Sequence, residues 1–598
     1  MRRTIKYFFI FLALVLLALL AFVATFDANN YKPQIIEQVE QATGRDFTIE
    51  GDINLSIFPW IGLKVENVTL GNEKGFIAKQ FAAIKQLDVK VNVLPLLKKQ
   101  VEINVIRLHG LDVSLEVAKD KSNNWSSLSQ AEADADKTKA PDETDTAQTE
   151  QTVDEEKGPS PLASLKVEGF EFVDAVIRYD DRSSNTSATV SELNLTTTAI
   201  TFDQPVELEF GARIENNQPA IDTRLKLTTQ LVFNQDFTEF KLRDLVFTIL
   251  AKANEFIKQD EEVEIKSDVD VLMDEQRITL KQLQISALGT NTNVEITVSQ
   301  FLETPMIQGS IEIQAFDARK VARRVGVELP EMAKADALSR VAIKTKLKLQ
   351  GEKLQANEFN LKLDDSTLSG WLHVTDISKQ QLRYDLAFDQ LNLNDYLPPA
   401  VDTPADTVAG GGATTADAAS GNEKIELPVE IMRELDIQGD FRIASLTAKE
   451  YDIKQFLMSL KAQNGVIVIK PLSLQVLEGQ VLSAVNINVQ KTVPAYAIGL
   501  DVNRVQIGPV VNPFLEGVMG DEPLKMQGAV NLKMDVATAG ESANQLKKAS
   551  KGQIVLDMKE TAVDGFDPEF YMRKSIADYV NEKGFGLSKT IMGSYKPR

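Results

Sequence analysis

The sequence predicts a mainly β protein with few helices. One N-terminal transmembrane helix should precede an elongated, curled antiparallel β-sheet built of degenerate repeats. Three observations predict it. Residues 7–26 (YFFIFLALVLLALLAFVATF) form a run of twenty residues without a charge. Beyond it, apolar and polar residues alternate with period two, as in antiparallel strands with one apolar and one wet face. Turn pairs (NG, GD, DD, GN, EG) recur between the alternating runs.

The uncharged run is long enough for the roughly 30 Å bilayer core at about 1.5 Å per residue. Arg2, Arg3 and Lys6 precede it and Asp27 follows it. This asymmetry predicts residues 1–6 as a cytoplasmic stub and the remainder across the membrane. The anchor is expected to use Tyr7, Phe8, Leu12, Leu16, Leu20 and Phe26. A cleaved signal would have a shorter apolar stretch and a small-x-small site. Here Phe22 or Phe26 would occupy the −3 position.

The next region, 27–129, contains a short helix at Pro33–Thr43 ending at Gly44, then strands. Residues 130–158 hold ten acidic and three basic residues with only Ala and Val as apolar content. Such a segment cannot offset the entropy of ordering and reads as a linker. Strands resume over 159–399, with a short helix at Ala318–Val325. Residues 400–424 are rich in Gly, Ala and Thr and read as a second, flexible linker. The last region, 425–598, has strands and a late amphipathic helix from Pro568 to about Asn581.

Net charge is −21, and about −24 beyond the apolar run. An acidic body argues against nucleic acid, which needs basic patches. With no cysteine, disulfides, thiolate metal sites and a cysteine nucleophile are excluded. His109 and His373 stand alone in strand-like sequence and read as structural. Trp60, Trp125 and Trp371 read as packing residues at strand ends. No catalytic motif is visible, so no enzyme, cofactor or metal is expected.

Several blocks carry a family resemblance. They include TGRDFTIEGDINLSIFPWIGLKVENVTLGN (Thr43–Asn72), SNNWSSL (Ser122–Leu128), IQAFDARKVARRVGVELP, LDDSTLSGWLHVTD and FDQLNLNDYLPP (Phe388–Pro399). KGQIVLDMKETAVDGFD follows near the end. In this order they resemble the AsmA family of bacterial envelope proteins. The resemblance implies a single-pass inner-membrane protein facing the periplasm, with a chorein-like first region. It also implies a β-groove that binds or transfers phospholipid between inner and outer membrane and supports outer-membrane biogenesis. The alternative is an assembly factor for outer-membrane proteins that carries no lipid. The expected partners are the inner membrane, phospholipid acyl chains and an outer-membrane or periplasmic protein.

The groove candidates are the apolar sides of alternating runs: Ile53, Leu55 and Ile57; Val89, Val91 and Val93; Val341, Ile343, Leu347 and Leu349; Val485, Ile487 and Val489. About thirty strands at ~4.8 Å spacing would extend roughly 140 Å. After the late helix, GFGLSKTIMGSYKPR shows no alternation. Similar proteins continue with strands there, so the expectation is a shortened member with an unfinished sheet edge.

Overall fold

The computed structural model describes residues 27–56, 60–92, 102–128, 166–399, 423–515, 525–564 and 572–576. The anchor residues Tyr7, Phe8, Leu12, Leu16, Leu20 and Phe26, the linker 130–158, residues 400–422, and Ile57 and Val93 lie outside these. Among the described residues no helix is long and apolar enough to cross a membrane. Of the late helix, only 572–576 are described, as helical. Lys424, read as linker, already bridges to Ser542 and pairs with Glu541 at 3.1 Å.

The chain divides into two units: Met1–Gly309 with Arg319–Glu328, and Ser310–Ala318 with Leu329–Arg598. The first opens with helix α1 (Lys32–Thr43), which ends as expected at Gly44 with φ +67°. Its strands are β1 (Phe47–Ile49), β2 (Asn54–Ser56), β3 (Trp60–Gly71), β4 (Gln80–Asn92), β5 (Glu102–Val117), β6 (Lys166–Asp181), β7 (Thr186–Thr197), β8 (Val206–Asn217), β9 (Ala220–Phe233), β10 (Glu239–Ala251), β11 (Glu261–Leu272), β12 (Arg277–Ala287) and β13 (Thr290–Ser299). β1 and β2 both pair with β3, and from β3 to β13 each strand pairs with the next.

Strand β14 (Met306–Phe316) and helix α2 (Ala318–Arg324) follow. The second unit contains β15 (Val341–Gln350), β16 (Lys353–Leu363), β17 (Ser366–Asp376), β18 (Gln381–Asn392), helix α3 (Val429–Glu434), β19 (Asp436–Ala448), β20 (Tyr451–Gln463), β21 (Val466–Val476), β22 (Gly479–Asn488), β23 (Ala495–Gln506), helix α4 (Gly508–Leu515), β24 (Lys525–Ala539), helix α5 (Ala543–Ala549) and β25 (Lys551–Asp564). Again each strand from β15 to β25 pairs with its successor.

The purely antiparallel expectation needs correction. β5 pairs β6 in parallel, and β18 pairs β19 in parallel. Two-residue turns cannot join parallel neighbours, because the chain must first return along the full strand. Both linker-like segments fall at these two joints. Polar cross-strand pairs span each joint. Arg107 pairs with Glu171 and Arg178 with Asp112 at the first. At the second, Arg383 pairs with Asp436 at 2.7 Å, and Arg442 with Asp385.

A line of bulges runs through the strands. Asp174, Glu192, Asp244, Gln282, Glu358, Gln455 and Arg504 all have φ between +49° and +55° in mid-strand. Each coincides with a register shift, which bends the strand and increases twist. Neighbouring side chains satisfy the backbone groups freed there. Thr229, Ser267 and Thr345 hydroxyls donate to the carbonyls of Arg243, Lys281 and Asn357 at 3.0, 3.2 and 3.1 Å. The N–H groups of Asp174, Asp244 and Arg504 donate to Asn194, Asp268 and Asn531, each at 3.0 Å.

Candidate functional site

Cross-strand register assigns residues to faces, because partners in a ladder share a face and residues two apart along a strand do too. In the first unit one row crosses every strand from β3 to β13. It begins Val65–Leu87–Leu108–Phe172–Leu195–Phe210. It continues Leu227–Phe247–Ile265–Ile285 and ends at Thr292. A parallel row runs Leu231–Leu242–Val269–Leu280–Ile296. In the second unit a row crosses β15 to β24: Leu347–Ala356–Leu372–Tyr384–Gly439, then Leu460–Ile469–Val485–Ile498–Val536.

These rows are not a covered core. From Leu87 to Ile285 every member is half-buried, and from Leu347 to Val536 every member is half-buried or exposed. Full burial on this face is concentrated along the bulges, at Ala175, Ala212, Thr229, Ser267, Leu283 and Val294. Each half-exposed Leu, Ile or Phe leaves on the order of 1 kcal/mol of transfer free energy unrealised. The face therefore favours an apolar occupant.

The opposite face is charged. Asp270 takes ion pairs from Arg243 and from Lys281, the latter at 2.6 Å. Burial pushes the Asp270 carboxyl up, but the hydrogen bonds from Lys281 and Arg243 outweigh it and hold the carboxyl below its ordinary range. On the apolar rows, burial first and Asp440 second push the Tyr384 hydroxyl up.

The sequence candidates divide three ways. Leu347 and Val485 share the second-unit row just described. Leu349 and Ile487 share its neighbour, Leu349–Leu354–Val374–Leu382–Ile437–Ala462–Ile467–Ile487. Ile343 lies on the same face, beside Leu361, and is half-buried. In the first unit Leu55, Leu63 and Val89 align, with Leu55 37% exposed, and Val91 sits between Ile61 and Ile103.

Ile53, Val341 and Val489 are corrected, since all three are buried at strand ends. The Asn29 side chain brackets the Ile53 backbone, accepting from its N–H at 2.9 Å. Val489 is completely buried; Arg433 of α3 donates to its carbonyl at 2.9 Å.

Trp371 is also corrected. It sits mid-strand opposite Asp385, on the charged face, its ring tilted 34° to the His373 ring at 4.4 Å. His373 bonds Asn357 at 2.8 Å, while His109 is half-exposed and 3.7 Å from Asp174. Trp125 packs 6.5 Å from Tyr179.

A buried polar knot at the β3–β5 end escaped the sequence reading. Asn124, fully buried, donates to Asn72 at 3.0 Å and to the Ser114 carbonyl at 2.8 Å, and accepts from the Glu116 N–H at 2.9 Å. The Glu116 carboxylate accepts from the Ile77 and Ala78 N–H groups at 2.8 and 2.7 Å. Arg45 donates to the Asn124 carbonyl at 2.6 Å and lies 4.6 Å over the Phe81 ring. The signal was the SNNWSSL block itself, whose buried asparagine is a structural lock.

Within each unit, then, the protein is a large mixed sheet with one half-exposed apolar face. The family model of the AsmA family matches residues 1–593, and the chain belongs to that family. It is similar to AsmA family protein YhjG of Escherichia coli (strain K12), 30% identical over 127 residues. That match covers 19% of this chain and 18% of the relative. It is also similar to Protein AsmA of the same organism, 21% identical over 236 residues, covering 38% of this chain and 36% of that protein. The chain thus spans about a fifth to a third of the curated relatives it matches. No solved structure matches it.

Proposed function

We propose that the chain is a non-enzymatic lipid-binding protein of the bacterial cell envelope. Phospholipid acyl chains lie against the apolar rows of each unit. Residues 7–26 anchor it in the inner membrane, the body faces the periplasm, and transfer toward the outer membrane supports outer-membrane biogenesis. The observation that carries this reading is the partly exposed apolar row running through every strand from β4 to β12. A protein core would leave such residues buried; an acyl chain would cover them without needing a second sheet. The charge supports the same reading, since a strongly acidic body is poorly suited to broad adsorption on anionic headgroups.

The test is mass spectrometry of organic extracts from the purified full chain. Near-stoichiometric phospholipid, lost in Ile343→Asp and Ile487→Asp while circular dichroism is unchanged, is the expected result. A well-folded protein with no bound lipid would transfer the lead to a protein-assembly role, with the apolar faces docking another polypeptide.

A further inference from the structure

The densest basic segment of the acidic chain lies between β14 and β15. Arg319, Lys320, Arg323 and Arg324 fall within six residues, with no acid from Ala318 to Val327. The segment forms α2, and its position is fixed from the sheet side. Arg324 donates to both oxygens of Glu261, at 3.1 and 2.8 Å. Glu261 pairs with Ala251 in the ladder where Val263 pairs with Ile249. Its side chain therefore stands on the apolar face, at the strand-end margin of the rows.

Gly289, in the β12–β13 turn at φ +78°, lies beside Arg324; a Cβ there would touch the guanidinium at an ordinary 3.6 Å. Lys258 crosses the end of the helix. Its N–H donates to the Arg324 carbonyl at 2.7 Å, and its ammonium donates to the Glu255 carbonyl at 2.8 Å. Gly326, at φ +75°, has no side chain to block it.

Arg324 is thus neutralised by Glu261. Arg323 and Lys258 are exposed, and among the described residues no carboxylate lies within ion-pair distance of either. Arg324 marks the margin of the apolar rows, and the exposed Arg323 and Lys258 stand next to it at the end of α2, an arrangement that matches an amphiphile with an anionic head. The apolar rows take the chains, and the guanidinium and ammonium take a phosphate.

We infer that α2 and Lys258 form a cationic rim that holds the phosphate-bearing headgroup of an anionic lipid whose chains occupy the first unit's apolar rows. The inference rests on the lipid reading above and adds headgroup selection to it.

The test exchanges the purified full chain against vesicles of phosphatidylcholine and phosphatidylglycerol in equal amounts, then quantifies bound lipid. Wild type should retain phosphatidylglycerol over phosphatidylcholine by about 2- to 5-fold, the worth of one exposed ion pair. The double variant Arg323→Glu/Lys258→Glu should bind the same total lipid at the vesicle ratio, and Arg323→Lys should keep the preference. Unchanged total lipid and an unchanged ratio in the double variant would overturn the rim while leaving the lipid reading intact. Wild type binding neither lipid would overturn both. A parallel titration with inorganic phosphate separates the sources: variant-sensitive phosphate binding without headgroup preference would overturn the lipid assignment.

Discussion

The corner around Asn124 and the rows running from β7 to β13 belong to one sheet and obey opposite rules. At the corner, Asn124 is fully buried, and Glu116 and Arg45 are close to it. Their hydrogen bonds reach across β3, β5 and the segment after β5. Along the rows, Leu227, Phe247, Ile265 and Ile285 are matched strand to strand, yet all remain half-exposed. The corner shows where the fold stores specificity, in polar groups that have no acceptable alternative partner. The rows show where it leaves free energy available to a ligand.

Substitutions should separate these roles. Asn124→Ala removes two donations and one acceptance in a site without water access. It should cost about 2–4 kcal/mol and lower the thermal unfolding midpoint clearly. An unchanged midpoint would mean the corner is not a lock. Phe247→Asp places a charge on the half-exposed row. It should cost roughly 1–2 kcal/mol, because that side chain is only partly buried, but should abolish co-purifying lipid. Loss of fold instead of ligand would mark the row as covered core.

The smallest effect concerns pH at the β6–β7 hairpin. The Ser183 hydroxyl first, then Ser184, hold the Asp181 carboxyl down at about 2. A depressed folded-state value contributes stability that is fully present above the unfolded value near 3.9 and is lost as pH falls through about 2. Amide-exchange protection at residues 182–186, taken relative to the intrinsic rate, should therefore fall between about pH 4 and pH 2. Asp181→Asn should remove that fall. An identical profile in the variant would assign it to other groups.

Much of this was legible in the sequence, for a physical reason. Period-two alternation is a local consequence of the pleat, so Leu347, Leu349, Val485 and Ile487 could be placed on an apolar face from spacing alone. Pairing partners are not local. The parallel joints at β5–β6 and β18–β19 left no hairpin signal, and Arg383 with Asp436 are far apart in the chain. The bulges did leave a trace: in RITLKQLQISA the apolar phase slips between Leu280 and Leu283, beside Gln282. Burial at strand ends was also hidden, since the Arg433 that bonds the Val489 carbonyl lies in α3, more than fifty residues earlier.

The central claim is that one face of the sheet, and not the other, meets lipid. The most direct measurement places a photocrosslinking amino acid at successive positions of β11 in the full chain within its native membranes. The account predicts phospholipid adducts at Val263, Ile265 and Val269, and none at Glu264, Lys266 and Asp268. Adducts independent of position, or adducts at the odd positions to protein only, would contradict it.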